Sequence, residues 1–324
     1  MKVLVTGGAG YIGSHFVKLL LKHGHQPVVV DNLSRGHKEA VPPGVHFEDI
    51  DLLDTNDLAY LLQTQMPQAV VHFAAFAYVG ESVEHPELYY QNNVVGSFNL
   101  IRLCSSNGVK KFVFSSTCSI YGNPVKVPIS EEQSSNPINP YANTKLMIEM
   151  ILKDFDKAFG MNYVALRYFN AAGSDPEGLI GESHEPETHL IPLVLETALG
   201  KRKKILVFGN DYNTQDGTCI RDYIHVNDLA DAHLKALEYL NGNNPSTIIN
   251  LGTGSGNSVL EIIEKAKTIT QNDIPFEIVK RREGDPAVLV ADNKKAKEVL
   301  GWSPVFSIEN ILETAWQWHK NPKY

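Results

Sequence analysis

Cysteine is scarce in this sequence, with only Cys104, Cys118 and Cys219 among 324 residues. Three widely spaced thiols match neither a disulfide framework nor a zinc-binding pattern, because both are built from paired or closely spaced cysteines. The composition therefore excludes a disulfide-stabilised scaffold and predicts no metal site. A reduced, cytoplasmic setting is the simplest account of so few cysteines.

Long apolar runs and a surplus of basic residues are missing as well. No apolar run approaches the ~18 residues of a membrane span, and the first residues predict a strand and a glycine turn rather than a signal peptide. The net charge is −8, and the only basic runs are the short segments 201–204 and 280–282. Nucleic-acid-binding domains are usually basic. We therefore expect neither a membrane nor a nucleic acid as a partner.

The first residues of the chain contain a glycine-rich turn between a strand and a helix. The apolar segment Lys2–Thr6 predicts a buried parallel strand, and the pattern of Ser14–His23 predicts a helix. Between them, Gly7–Gly13 carries both Gly-x-x-Gly-x-x-Gly and Gly-x-Gly-x-x-Gly spacing. Such glycines let the backbone approach a pyrophosphate, while the helix N-terminus offers free amides and a positive dipole end. This segment predicts a dinucleotide site.

An acidic residue indicates which dinucleotide is bound. A second predicted strand, Pro27–Val30, is followed directly by Asp31. Asp31 follows Gly13 at close to the spacing of about 20 residues that is typical of a carboxylate accepting hydrogen bonds from the adenosine ribose. A carboxylate at this point would repel the additional phosphate of NADP. The sequence therefore predicts NAD as the cofactor.

Strands and helices continue to alternate along the chain. Further strands are predicted at Gly44–Glu48, Ala69–Phe73 and Lys111–Phe114, and helices at Thr55–Gln65, with Asp54 as its cap, and at Pro86–Asn107. This alternation predicts an α/β fold with a Rossmann-type doubly wound parallel sheet. The length favours two domains. We expect an NAD-binding domain over 1–173 and a smaller substrate-binding lobe over 174–324, parts of which return to the first domain.

A candidate catalytic group follows at the start of a predicted helix, Tyr141–Gly160. Tyr141 and Lys145 lie one turn apart on it, and an ammonium beside a phenol favours the phenolate, which lowers the tyrosine pKa from about 10. Alone, this spacing is more often a surface pair. Thr117, however, follows the strand Lys111–Phe114 at the sheet edge where parallel sheets bind ligands. We interpret Tyr141 as a general base and Thr117 as a hydrogen-bonding partner of the reacting oxygen.

These motifs together resemble the extended short-chain dehydrogenase/reductase superfamily and, within it, the UDP-glucose 4-epimerase family, also called the UDP-galactose 4-epimerase family. Similar stretches run over nearly the whole chain: Val71–Ala75, Val79–Ser82, Leu166–Asn170, Phe208–Tyr212, Arg221–Val226 and Arg281–Asp285. The resemblance is therefore not limited to the cofactor fingerprint.

The resemblance implies a role for each matching position. Tyr141 would be the base, Thr117 its partner at the sugar 4-oxygen, and Lys145 would hold the nicotinamide ribose and tune Tyr141. The implied NAD site consists of Gly7, Gly10, Tyr11, Ile12, Gly13, Asp31, Asn32, Asp51, Leu52, Phe73, Ala74, Ala75, Asn92, Ser115, Tyr141, Lys145 and Phe169. Some members carry a lysine where this chain has Ala77, which puts one phosphate contact in doubt.

The implied substrate is a UDP-sugar. Its site would consist of Thr117, Tyr141, Asn170, His189, Leu190, Phe208, Arg221, Arg282, Asp285 and Leu289. The chemistry agrees, because Arg221 and Arg282 can hold a pyrophosphate through paired, charge-assisted hydrogen bonds. In this family the residue at Leu289 limits the room at the sugar C2 substituent. Because leucine is smaller than an aromatic residue, we expect UDP-GlcNAc and UDP-GalNAc to be at least partial substrates.

The activity that the resemblance implies is reversible C4 epimerisation of UDP-galactose and UDP-glucose through a 4-keto intermediate and bound NAD. The alternative is C4 epimerisation of another UDP-sugar, such as UDP-glucuronate. Dehydratases of the superfamily carry an acid just after the Ser-Ser-Thr, and Cys118–Gly122 contains none. A nucleotide sensor that has lost the chemistry is a third interpretation, which the presence of Thr117, Tyr141 and Lys145 disfavours.

A homodimer is the expected assembly. The helices predicted over Pro86–Asn107 and Tyr141–Gly160 carry apolar residues, among them Val95, Phe98 and Ile148, in larger number than one sheet face is expected to bury. Relatives pair two such helices with two from a second subunit. The competing interpretation is that these residues belong to the core of one chain.

Overall fold

The computed structural model describes residues 1–282 and 285–324. Its strands are β1 (Lys2–Thr6), β2 (Gln26–Asp31), β3 (His46–Asp49), β4 (Ala69–His72), β5 (Lys111–Thr117), β6 (Asn162–Tyr168), β7 (Asn170–Ala172), β8 (Ile205–Phe208), β9 (Ile220–Arg221), β10 (Tyr223–His225), β11 (Thr247–Leu251), β12 (Asn257–Ser258), β13 (Phe276–Val279) and β14 (Val288–Leu289). Its α-helices are α1 (Tyr11–Lys22), α2 (Thr55–Gln65), α3 (Val79–Glu84), α4 (Pro86–Tyr89), α5 (Gly96–Ser106), α6 (Pro140–Phe159), α7 (Leu190–Ala198), α8 (Val226–Asn241), α9 (Val259–Thr270), α10 (Lys294–Leu300) and α11 (Ile308–Lys320).

Seven parallel strands form the central sheet, in the order β11-β6-β5-β4-β1-β2-β3. Helices cover both faces, so both sets of alternating strand side chains are buried. Val3 and Val5 of β1 belong to one core together with residues of α1 and α8. Leu4 belongs to the opposite core with residues of α2, α5 and α6. The predicted Rossmann-type doubly wound sheet is confirmed.

The chain after Gly173 builds a smaller lobe and also contributes to the central sheet. The helices α7, α9 and α11 share a third core with strand β8, and β9 lies between β12 and β14 in a small sheet. Strand β11, in contrast, pairs with β6 at the edge of the seven-stranded sheet. Helix α8 packs against α1. Among the described residues, no helix combines the length and apolar character needed to cross a bilayer.

The segment Pro86–Asn107 differs from the single helix that we predict. A six-residue π-helical stretch, Tyr90–Val95, separates α4 from α5. Its wider turn positions Asn93, whose side chain accepts a hydrogen bond from the Phe76 amide (2.8 Å) and donates to Thr144 Oγ1 (3.1 Å). A buried asparagine satisfied in this way explains the local departure from α-helical geometry. The apolar pattern of the sequence does not reveal it.

Candidate active site

The glycine loop fits a phosphate-binding turn. Gly7 has a φ of +71°, and a Cβ there would lie 2.5 Å from the Ala74 nitrogen. A Cβ on Gly13 would lie 2.1 Å from the Gly7 oxygen, which explains the close approach of α1 to the loop. At Gly10, in contrast, the nearest contact of such a Cβ is 3.3 Å away. Gly10 lines the main cavity, so a side chain there would occupy cavity space.

Two carboxylates are fixed at the ends of neighbouring strands. Asp31 Oδ2 accepts a hydrogen bond from the Ala9 amide at 3.0 Å, and its Oδ1 accepts one from the Leu33 amide at 3.0 Å. Burial raises the pKa of Asp31, and these two amide hydrogen bonds act in the opposite direction. Asp51 Oδ2 accepts from Asn32 Nδ2 at 2.9 Å. Both acids therefore lie where the adenosine end of NAD is expected, with fixed orientations.

The start of α6 brings the candidate catalytic residues together. Asn139 caps this helix by accepting a hydrogen bond from the Ala142 amide at 2.9 Å, and Pro140 opens it. Tyr141 and Lys145 are both buried on the face that packs against the sheet. Lys145 Nζ donates to the Ser115 carbonyl oxygen at 2.8 Å and lies 6.0 Å from the centre of the Tyr141 ring.

The pKa of Tyr141 differs from our expectation. Burial raises the pKa of Tyr141 well above its ordinary value, and a hydrogen bond with Thr117 lowers it only in part. Burial also lowers the pKa of Lys145 to about 7, against the charge of Glu149, which raises it. The expected lowering of the tyrosine pKa by Lys145 was therefore wrong. Desolvation of a phenolate outweighs an ammonium that is itself costly to keep charged in this site.

Glu149, which the sequence analysis overlooked, lies beneath these residues. Its Oε1 accepts hydrogen bonds from Ser116 Oγ at 2.6 Å and from Arg167 Nε at 2.9 Å, and its Oε2 accepts from Arg167 at 2.6 Å. Its position one turn after Lys145, on the same face of the helix, is the feature of the sequence that could have revealed it.

Tyr168 is a second residue of this region that the sequence motifs did not single out. Its hydroxyl forms a hydrogen bond with Ser115 Oγ, and burial raises the pKa of Tyr168 to about 12.

The smaller lobe contributes arginines and an aromatic ring. The Arg282 guanidinium lies 4.0 Å from the centre of the Phe208 ring, a cation–π distance. Arg221 forms an ion pair with Asp285. Leu289 is aligned with Arg221 in the β14–β9 pair. Of the predicted stretch Arg281–Asp285, Glu283 and Gly284 lie outside the described residues.

One cavity of about 910 Å³ unites these groups. Its lining includes every residue that we predict for either ligand: Gly7, Gly10, Tyr11, Ile12, Gly13, Asp31, Asn32, Asp51, Leu52, Phe73, Ala74, Ala75, Asn92, Ser115, Thr117, Tyr141, Lys145, Phe169, Asn170, His189, Leu190, Phe208, Arg221, Arg282, Asp285 and Leu289. The structure therefore brings the two predicted sites into one continuous space, with the Tyr141 region between them. The individual roles of these residues stay predictions.

Comparison with known proteins identifies the family. The model of the NAD dependent epimerase/dehydratase family matches residues 3–252. The chain belongs to that family. It is also 51% identical to a UDP-glucose 4-epimerase of Halalkalibacterium halodurans over 99% of this chain and 96% of the relative. The resemblance seen in the motifs is confirmed.

Solved structures of epimerases match nearly the whole of this chain. A UDP-glucose 4-epimerase from Brucella ovis, solved in complex with NAD, is 49% identical, has a TM-score of 0.95 and covers 97% of both chains. A UDP-Glc/GlcNAc 4-epimerase from Campylobacter jejuni is 43% identical, with a TM-score of 0.87, and covers 98% of this chain and 99% of its own. The fold therefore follows that of known epimerases over nearly the whole chain.

Proposed function

We propose that this protein catalyses the reversible inversion of C4 between UDP-galactose and UDP-glucose. The observation that carries this proposal is the convergence of Thr117, Tyr141 and Lys145 between a dinucleotide cradle and an arginine-lined end of the same cavity. About half of all residues are identical with a UDP-glucose 4-epimerase over nearly the whole length, which supports the same chemistry. The enzyme is thus an NAD-dependent isomerase.

The chain's own groups would bind the cofactor and manage the proton. NAD supplies a hydride acceptor and donor at the sugar C4. The Gly7–Gly13 loop would hold its pyrophosphate, and Asp31 its adenosine ribose. Tyr141 takes the proton of the 4-hydroxyl at its phenol oxygen and later returns it, and Thr117 orients that hydroxyl. Because burial favours the neutral phenol, the phenolate requires positive charge near Tyr141.

The UDP group anchors the substrate while the sugar moves. Arg221 and Arg282 would each donate hydrogen bonds to the diphosphate, and their contacts with Asp285 and Phe208 hold them at the cavity wall. Inversion at C4 requires the 4-keto sugar to present its other face before it is reduced. Binding energy concentrated on UDP permits that rotation without release of the intermediate.

The reaction can be tested by incubating the purified protein with UDP-galactose and following the sugar anomeric signals by NMR. We expect the mixture to approach the same ratio of UDP-glucose to UDP-galactose from either substrate. UDP-glucuronate is incubated in parallel to test the alternative, which is C4 epimerisation of another UDP-sugar. Turnover of UDP-glucuronate with none of UDP-galactose would replace the proposal with that alternative.

Leu289 supports a wider substrate range. It lines the cavity and packs in a small core of apolar residues with Phe169 and Ala291. We propose that the space left by a leucine admits an N-acetyl group at C2. The Leu289→Tyr variant is then expected to lose turnover of UDP-GlcNAc at least tenfold more than turnover of UDP-glucose. If wild-type protein shows no turnover of UDP-GlcNAc, this part of the proposal fails.

A homodimer and a cytoplasmic location complete the proposal. Several apolar side chains of α5, α6 and the stretch preceding α5 are exposed, including Val95, Phe98, Met147 and Met150 at 40% or more. Ile148, in contrast, is fully buried in the core. An exposed apolar face shared by two neighbouring helices suits contact with a second copy. Small-angle scattering should give twice the chain mass of 35.9 kDa, and a monomeric mass would refute the dimer.

A further inference from the structure

Four potential metal ligands meet in the loop that precedes α7. Glu182, His184, Glu187 and His189 each contribute one carboxylate oxygen or imidazole nitrogen, and these atoms all lie within 4.8 Å of one another. The residues come from a single segment with the spacing Glu-x-His-x-x-Glu-x-His. His189 is predicted to lie in the substrate site, whereas no sequence motif assigns a role to the other three.

The distances between these atoms suit one small ion. Glu182 Oε1 lies 3.1 Å from His189 Nδ1 and 3.3 Å from His184 Nδ1. Glu187 Oε2 lies 3.4 Å from His184 Nδ1, and its Oε1 lies 2.8 Å from His189 Nδ1. A tetrahedral ion with bonds of about 2.0–2.1 Å separates its ligands by about 3.3 Å. The four observed separations, 2.8–3.4 Å, are close to that value.

Burial makes a compensating positive charge necessary. The side chains of Glu182 and Glu187 are only 5% and 8% exposed, and two buried carboxylates without compensation would be very costly. His184 Nδ1 is buried and has no well-formed hydrogen bond to any residue that the structure describes. It is directed toward both carboxylates. A dication bound by neutral imidazoles would satisfy all of these groups at once.

The backbone around the ligands is held in place by distant parts of the chain. Trp318 Nε1 donates to the Glu182 carbonyl oxygen at 2.8 Å, and Arg35 donates to the Glu185 carbonyl oxygen at 3.2 Å. Glu187 Oε1 accepts from the His189 amide at 2.8 Å, which orients its carboxylate. Ligands that are oriented before an ion arrives bind it more tightly.

We propose that Glu182, His184, Glu187 and His189 bind one divalent transition-metal ion, and that this ion is Zn²⁺. Two imidazoles and two carboxylates in a tetrahedral arrangement match zinc, whereas Mg²⁺ and Ca²⁺ prefer more oxygen ligands. All four positions would be filled by the protein, so the ion would have no open position for a substrate. Its role would be to hold the segment 182–189 in shape.

The ion would act on the substrate end of the cavity. His189 immediately precedes the first residue of α7, and both His189 and Leu190 line the cavity. This consequence rests on the proposed function: loss of the ion is expected to raise the KM for the UDP-sugar severalfold with a smaller effect on kcat. Binding of the ion does not depend on the reaction. A failure of the metal-site proposal can therefore be distinguished from a failure of the proposed function.

The test uses the full chain without a histidine tag, treated with a chelator and then dialysed. Titration with Co²⁺, a spectroscopic substitute for Zn²⁺, should produce the intense visible d–d bands of tetrahedral coordination and saturate at about one equivalent. Addition of Zn²⁺ should then abolish these bands. These measurements need no variant, so they decide the proposal even if substitutions disturb folding.

Two substitutions and a matched control locate the site. His184→Gln and Glu187→Gln should each weaken Zn²⁺ binding by about tenfold or more. His46→Gln serves as the control, because His46 also pairs with a glutamate but lies at the surface. Its Nε2 is 2.9 Å from Glu48 Oε1, and each of the two side chains is 42% exposed. His46→Gln should bind Zn²⁺ like the wild type.

Three outcomes would overturn the proposal. Wild-type protein could bind less than about a tenth of an equivalent of Co²⁺ or Zn²⁺, which would leave two protonated histidines as the partners of the carboxylates. The Co²⁺ bands could lack tetrahedral intensity. Finally, His184→Gln could bind Zn²⁺ as tightly as the His46→Gln control, which would locate the ion elsewhere.

Discussion

The residues proposed to carry the chemistry lie at the start of α6 and at the end of β5. Thr117 lowers the pKa of Tyr141 in part, and Lys145 is fixed by its hydrogen bond to the Ser115 carbonyl oxygen. Burial keeps Tyr141 neutral and leaves Lys145 with a pKa of about 7. The proton-accepting form of Tyr141 therefore depends on the charges that a loaded site provides. A tyrosine that is neutral until positive charge is bound nearby suits a group that must both accept and return a proton.

The first prediction concerns Tyr141. The Tyr141→Phe variant should lose about two to four orders of magnitude in epimerisation rate, since this is the usual contribution of a positioned acid–base group. Its affinity for UDP should change little, because the residues that we propose to bind the diphosphate, Arg221 and Arg282, come from the smaller lobe. Rate measurements and calorimetric titration with UDP check both statements. Tyr163→Phe is the control, because Tyr163 is buried in a core of the sheet; equal rate losses in both variants would contradict the assignment.

At the scale of elements, a buried ion pair fastens α6 to the sheet. Glu149 on α6 receives hydrogen bonds from Ser116 on β5 and from Arg167 on β6. Both partners of the pair are almost fully buried, with side chains 4% and 5% exposed. The helix that carries Tyr141 and Lys145 is therefore held against the two strands whose ends form the site.

Removal of one partner should be costly. We expect Glu149→Ala to lower the free energy of unfolding by about 3 kcal/mol or more, because it leaves the Arg167 charge buried without its partner. Urea denaturation measures this change. Glu264→Ala is the matched control, since Glu264 is 65% exposed and pairs with Lys267 on the surface of α9. The control should lose at most about 1 kcal/mol, and similar losses in the two variants would count against the role of the buried pair.

Local signals in the sequence account for most of the elements. The Asp54 cap is an example: its carboxylate accepts hydrogen bonds from the amides of Asn56 and Asp57, as its position before α2 predicts. The π-helical stretch Tyr90–Val95 was missed because Asn93 within it hydrogen-bonds to Phe76, which lies outside the predicted helix and 17 positions before Asn93. Patterns within one segment reveal the element type, whereas long-range hydrogen bonds decide such local departures.

The residues that line the candidate site could likewise be predicted from local motifs. The residues predicted for NAD and UDP-sugar line one cavity, because motifs at the ends of parallel strands meet at one edge of a sheet. Two features were not predictable. The raised pKa of Tyr141 depends on burial that only the folded chain creates. The cluster of Glu182, His184 and Glu187 with His189 follows no familiar metal-binding motif. The division of the chain at residue 173 stays a prediction.

At the scale of the whole molecule, buried histidines make stability dependent on pH. Burial lowers the pKa of His15 and His233 to about 4, and that of His72 and His225 to about 3. In the unfolded chain these groups titrate near the ordinary value of about 6.5. Their stabilising contribution is therefore fully present above pH 6.5 and is lost as the pH falls toward the folded pKa values.

Acid should therefore destabilise the protein well before most carboxylates titrate. Between pH 6.5 and 4.5, we expect the free energy of unfolding to fall, with each histidine contributing up to about 1.4 kcal/mol per pH unit. Asp228, whose pKa burial raises to about 6, opposes this trend in part. Urea denaturation at several pH values measures the slope. His233→Gln should reduce the slope, while the exposed His46→Gln should not; an unchanged slope in His233→Gln would contradict the account.

The most direct test of the central claim is a coupled assay of UDP-galactose conversion to UDP-glucose by the purified protein with no added cofactor. The proposed mechanism regenerates NAD in every cycle, so we predict turnover from the cofactor that the protein retains. Addition of NAD should then change the rate little. If no UDP-glucose forms with or without added NAD while UDP still binds, the account of this cavity as a UDP-galactose 4-epimerase site is contradicted.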